Sequence, residues 1–164
     1  MALKQVIELD ELQTIIPHRG KMMLLSRVTA YDSQGTLRAE YDITEQCLFY
    51  DSAIQGVPVW AGFELIAQAI SAYSGIRDRE NGLKPKIGFI LSIPHMHMSI
   101  PVLKSGSTAD ICVQECDRSD LIYTFEGSVF LNGEKAIEGK MMVMEIDNEM
   151  EFLDRYKERT LNEC

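Results

Sequence analysis

The sequence predicts an α+β domain in which a curled antiparallel sheet of about six strands wraps one long central helix. Three observations carry that expectation. Residues 56–75, GVPVWAGFELIAQAISAYSG, hold the one long helical pattern, and from Leu65 to Tyr73 it is apolar nearly all round, as a buried helix is and a surface helix is not. Two strand-like runs precede it and four follow, each bounded by turn-forming residues. With 164 residues, 46% hydrophobic and 25% charged, the chain suffices for one core and is short for two. The expected organisation is a domain over residues 1–147 and a short, charged helical tail over 148–164.

In chain order, residues 8–16 read as a short helix stopped by Pro17. The runs MMLLSRVTAYD and TLRAEYDI flank Ser33-Gln34-Gly35, a hairpin signal. Residues 44–55 are irregular and lead into the central helix. Gly62 offers a backbone without Cβ where a ligand could approach, and Glu64 sits in the first turn, where the helix dipole favours a carboxylate. The helix is expected to stop near Ser74-Gly75 or fray through Arg79, with Asn81-Gly82 turning the chain out. Strands are then expected over 86–99, 107–117, 120–131 and 135–146. Asn132-Gly133 is the strongest hairpin signal among their turns. A sheet wrapped on one helix in this way is the hotdog arrangement, whose open edge is expected to pair with a second subunit.

Charge and cysteines narrow the class. A formal charge of −9 with no clustered basic face argues against nucleic acid. An acidic partner would need a local basic patch, and Arg77, Arg79, Lys84 and Lys86 after the helix are the candidates. No apolar run approaches the roughly 20 residues of a membrane span. The opening MALKQVIELDEL lacks a signal-peptide core, so a cytoplasmic protein with reduced Cys47, Cys112, Cys116 and Cys164 is expected. On one strand Cys112 and Cys116 would lie roughly 13 Å apart, too far to bridge.

Ile16-Pro17-His18-Arg19, Met23-Leu24-Leu25-Ser26-Arg27-Val28, Gly56-x-Pro58-x-x-x-Gly62 and Glu64-Leu65-Ile66-Ala67-Gln68-Ala69 together resemble FabZ-type 3-hydroxyacyl-acyl-carrier-protein dehydratases over roughly residues 10–146. Within them the shortened GVPVWAGFELIAQ run is most similar to the dehydratase-like subunit of aryl polyene gene clusters. The resemblance implies syn elimination of water from a 3-hydroxyacyl thioester without a cofactor. A histidine takes the C2 proton, a carboxylic acid on the helix protonates the departing hydroxyl, and the helix start holds the thioester carbonyl. Each family site is shared between protomers. Glu64 is the implied acid, and Gly62, Trp60, Gln68 and Tyr50 are implied substrate-binding positions.

The chain departs from that pattern at the histidine. Ser52-Ala53-Ile54-Gln55-Gly56 stands where the family has its histidine loop, and either Ala53 or Tyr50 falls at the histidine position according to the anchor chosen. Counting forward from Gly62 without a gap puts Ala67 at the acid position, whereas a three-residue deletion puts Glu64 there and restores the Glu-x-x-Ala-Gln-Ala match. The expectation is half a dehydratase: a subunit that supplies Glu64 to a heterodimer with a FabZ-like partner, or that serves as a non-catalytic scaffold, with an acyl carrier protein bringing the substrate.

Other readings are open at this stage. Asp51 could act as the base of a hotdog thioesterase, although a turn residue is the plainer reading. The chain could also bind acyl carriers or acyl-CoA without chemistry. His95 and His97 alternate with Met96 and Met98 on a strand, but no third metal ligand is close in sequence, so no metal is expected. His18 is read as structural, and Arg19 as a partner for a carboxylate at the dimer edge. The nine methionines suit an adaptable acyl tunnel, with Trp60 at its mouth.

Overall fold

The computed structural model describes residues 6–146. The expected helical tail over 148–164 and Cys164 lie outside them. In chain order the elements are β1 (Ile7–Glu8), α1 (Leu9–Leu12), β2 (Arg27–Tyr31), β3 (Thr36–Asp42), β4 (Gly56–Pro58), α2 (Gly62–Glu80), β5 (Ile87–Met98), β6 (Val102–Lys104), β7 (Thr108–Ser119), β8 (Ile122–Leu131) and β9 (Glu134–Ile146). Seven strands form one antiparallel sheet in the order β1-β2-β3-β7-β8-β9-β5, and β4 pairs with β6 beside it. Helix α2 packs on its inner face. This is the hotdog fold.

Hairpin chemistry sets the sheet register. Asn132 and Gly133 both take positive φ, +52° and +81°, so the two-residue turn twists with its strands and pairs Leu131 with Glu134. Strand β8 then alternates buried Tyr123, Phe125, Val129 and Leu131 with less buried neighbours, which is what one covered face requires. Two short elements escaped the sequence reading: a two-residue β1 and the three-residue β4–β6 pair carry too few residues to show a period. The expected helix over 8–16 is a single regular turn, Leu9–Leu12, continued by tighter turns in which Thr14 and Ile15 donate to the carbonyls of Glu11 and Leu12, and Leu12, Ile15 and Ile16, at i, i+3 and i+4, face the core together.

Helix α2 runs past the expected stop at Gly75 to Glu80. Gly75 is there for contact: a Cβ would lie 2.6 Å from the Ile15 carbonyl oxygen. The helix ends where Gly82, at φ +70°, lets its own N–H reach the Arg79 carbonyl and the Leu83 N–H reach Asp78 (3.0 and 2.8 Å). Gly127, in the middle of β8, likewise has no room for a Cβ beside the Ile66 side chain, which packs there on bare strand backbone.

Strand β5 is an open edge. It carries Pro94, which cannot donate to a further strand, and exposes Phe89, Ile90, Leu91 and Ile93. Twelve residues of edge with that much apolar surface are the natural seat of a second subunit. No helix among the described residues is long and apolar enough to cross a membrane.

Candidate active site

Glu64 lies in the first turn of α2, its side chain 17% exposed. Two groups hold it. His18 Nε2 lies 3.4 Å from Glu64 Oε1, and the Gln68 amide, one helical turn on, donates to the same oxygen at 2.9 Å. Gln68 has no exposure and is fully engaged: its amide also donates to the Met22 carbonyl (2.7 Å), and its own oxygen accepts from the Leu24 N–H (2.9 Å). Gln68 therefore fastens residues 22–24 onto the helix. Arg19 curls the segment before them, its guanidinium donating to the carbonyls of Ile16 and His18 at 2.6 Å each. Within the single chain it is occupied with local backbone.

Burial pushes the Glu64 carboxyl upward, but the hydrogen bonds from His18 and Gln68 outweigh it, leaving Glu64 below the ordinary glutamate value. In the isolated chain Glu64 is thus a carboxylate at neutral pH, an acceptor rather than a proton donor. Its lowered value contributes stability above about pH 4 that is lost as pH falls through the folded-state value. Substituting His18→Gln removes the strongest opposing contact and leaves burial dominant, so Glu64 is expected to titrate higher. Carboxyl NMR of both proteins checks this; an unmoved titration would show that His18 does not hold the carboxylate.

A cavity of about 290 Å³ opens beside this pair. It follows α2 past Ala67, Ile70 and Ser71 to Ser74, ten residues or about 15 Å of helix from Glu64. Gly88, Phe89 and Ile90 of the edge strand form one wall, with Val143 and Glu145 of β9 at the far end. The cavity thus runs along the helix away from Glu64.

Of the catalytic and substrate-binding positions implied by the resemblance, Glu64 lines this cavity, and so do Ala67, the alternative acid position, His18 and Lys86. Gly62 is buried with its α-carbon against Ile137, so the missing Cβ makes room for the sheet and not for a ligand. Gln68 positions Glu64 from within the core. Trp60 is half exposed and meets Phe49 edge-on at 5.4 Å, outside the cavity. Tyr50 is half buried, and its N–H donates to the Cys47 carbonyl. Asp51 is exposed and closes a turn by accepting from the Ala53 N–H at 2.8 Å, so the carboxylate weighed as a thioesterase base is not at the cavity. No methionine lines the cavity either.

Two of the four residues of the expected basic patch are engaged within the chain. Arg77 is turned inward onto Glu145 (2.6 Å), Asp78 (3.6 Å) and Glu115 (3.8 Å), beneath Tyr123, and Arg79 pairs with Glu11 at 2.8 Å. His95 and His97 sit exposed on the edge strand, and the described residues contain no cluster of three metal-ligating side chains. His18, set aside in sequence as structural, is the residue missed. Its signal was its place in the Ile-Pro-His-Arg motif, which gives no hint of the helix it will face 46 positions later.

The model of the ApeP-like family, described as ApeP dehydratase, matches residues 10–154. Among curated relatives, the 3-hydroxyacyl-acyl-carrier-protein dehydratase FabZ of Anaeromyxobacter sp. (strain Fw109-5) is 28% identical over 151 residues, covering 89% of this chain and 94% of its own. That of Haemophilus influenzae is 29% identical over 140 residues, covering 84% and 93%. Among solved structures, a chain of the dehydratase heterocomplex ApeI:P from Xenorhabdus doucetiae superposes with a TM-score of 0.80 at 21% identity, over 88% of this chain and 96% of that one. Thioesterase HI1161 from Haemophilus influenzae superposes at 0.63 and 13% identity, over 90% and 96%. The structural likenesses bear on the fold.

Proposed function

The chain belongs to the ApeP-like dehydratase family, and from that premise we propose that it is the Glu64-bearing half of a 3-hydroxyacyl thioester dehydratase, completed by a FabZ-like partner that supplies the histidine. The observation that carries this reading is the placement of Glu64: a half-buried carboxylate at the head of an acyl-shaped cavity. The loop before the helix offers Tyr50 and Ala53 where the chemistry needs an imidazole.

In such a site the thioester carbonyl acidifies C2–H, the partner's imidazole takes that proton, and the C3 hydroxyl leaves as water with a proton from Glu64. In the family mechanism the N–H groups of the helix start stabilise the carbonyl as charge develops on it; here Gly62 packs on Ile137, and Glu64 is the first residue of α2 to reach the cavity. A proton donor needs a higher pKa than Glu64 has in the lone chain. A partner closing on the apolar β5 edge would bury the carboxyl further, and burial is already the strongest single influence on it. Assembly would thus shift Glu64 toward the acid role, while the unpartnered chain keeps it ionised. The substrate would arrive on an acyl carrier protein, with aryl polyene chains as the substrate class. The basic docking surface for an acidic carrier is supplied chiefly by the partner, since Arg77 is turned inward onto Glu145 and Arg79 is paired with Glu11.

A second reading rests on His18, whose 3.4 Å approach to Glu64 puts an imidazole and a carboxylate in one chain. The two readings part in one assay, dehydration of a 3-hydroxyacyl thioester by the purified chain and by its complex with a FabZ-like partner. The composite site predicts near-background turnover by the chain alone and rapid turnover by the complex. Equal rates per site would favour His18.

A further inference from the structure

Two cavities end against one ion pair. The cavity that begins at Glu64 stops at Ser74 and Glu145, and a second cavity, of about 360 Å³, is lined by Tyr73, Arg77, Glu115 and Cys116. Neighbours on α2 thus line different cavities, and Arg77 stands between the two. Its guanidinium binds Glu145, a wall of the first, at 2.6 Å, and lies 3.8 Å from Glu115, a wall of the second. Tyr123 of β8 supports it from the sheet, with the ring centre 4.9 Å from the guanidinium carbon. Along its length the first cavity has apolar walls at Ala67, Ile70, Phe89, Ile90 and Val143. A buried arginine–glutamate pair at its end is not what stability alone selects, since well-packed apolar residues of similar volume hold as well or better. It is a wall that a hydrocarbon end does not displace: separating the pair strands buried charge, which costs far more than burying another methylene returns.

We propose that the Arg77–Glu145 pair is the stop that sets how long an acyl chain the site accepts. This rests on the reading of Glu64 as the reacting end, from which Arg77 lies thirteen residues, or about 20 Å of helix, away. A chain that reaches the pair has filled the cavity, and further carbons find no room along the helix. With the pair removed, the first cavity runs into the second, and a longer chain continues past Ser74 toward Glu115.

The test uses the protein in whatever assembly it forms in solution. Affinities are measured by calorimetry for a series of saturated 3-hydroxyacyl pantetheine thioesters of increasing length. Each added methylene is expected to tighten binding about fourfold, the equivalent of about 0.8 kcal/mol, until the chain meets Arg77 and the gain stops. The informative variant combines Arg77→Ala with Glu145→Ala, which leaves one stranded carboxylate, Asp78, where Arg77→Ala alone leaves two. In it the gain is expected to continue for several carbons past the wild-type break, with thermal melts confirming the fold. A second measurement needs no variant: a thioester of the break length with a terminal diazirine is expected, on irradiation, to label the wild-type protein beside the pair, at Ser74, Arg77, Val143 or Glu145. A series without a break, no measurable binding of any member, a break unmoved in the folded double variant, or a label elsewhere overturns the proposal. A break that stands and moves in a protein whose complex shows no dehydration would instead sink the reading of Glu64 and leave the stop in place.

Discussion

Glu64→Gln in the assembled dehydratase is expected to lower kcat by about 10²- to 10⁴-fold, the usual weight of a general acid. Glutamine keeps the shape of the side chain and can still meet Gln68 and His18, so stability should hardly move while the transferable proton is lost. KM for the thioester should change little, because the substitution spares the apolar length of the cavity. That separation of kcat from KM is the signature of a group acting in the transition state. Full activity in this variant would leave the chain a scaffold.

The largest stability effect is expected at Arg77→Ala. The Arg77 side chain is 19% exposed, lies between Glu145 and Asp78, themselves 4% exposed, and stacks on Tyr123 with its guanidinium carbon 4.9 Å from the ring centre. Removing it strands two buried carboxylates, at a cost of about 3–5 kcal/mol. Asp78 already sits above the ordinary aspartate value, burial outweighing the attraction of Arg77. A carboxyl raised in the folded state stabilises below its unfolded value and loses that contribution as pH rises through the folded one. Loss of Arg77 raises it further, so the deficit should be greater near neutrality than in mild acid. Urea denaturation at the two conditions checks both size and sign, and a deficit independent of pH would show that the lost packing on Tyr123, not the stranded charge, is responsible.

The fold was legible because its determinants are local. The apolar girth of α2, the Asn132-Gly133 turn and the alternation of β8 each lie within a few residues and are set by dihedral preference and period. Of the candidate site, the sequence marked Glu64, through a family motif. What completes it is long-range: Gln68 reaches back 44 and 46 residues to Leu24 and Met22, and Arg77 reaches forward 68 to Glu145. Nothing in the local sequence says that Gln68 will be a staple, or that a cation in the last turns of a helix will point inward. Gly62 shows the same limit. A glycine at a helix start can admit a ligand or a neighbouring strand, and only the position of Ile137 decides between them.

The source of the imidazole is the centre of this account. The most direct measurement is the single-turnover dehydration rate of the complex in which the partner's loop histidine is replaced by alanine while His18 and Glu64 are left intact. The composite site predicts that the rate falls to the level of the chain alone. A rate close to that of the unaltered complex would contradict it, and would make His18 and Glu64 a site contained in one chain.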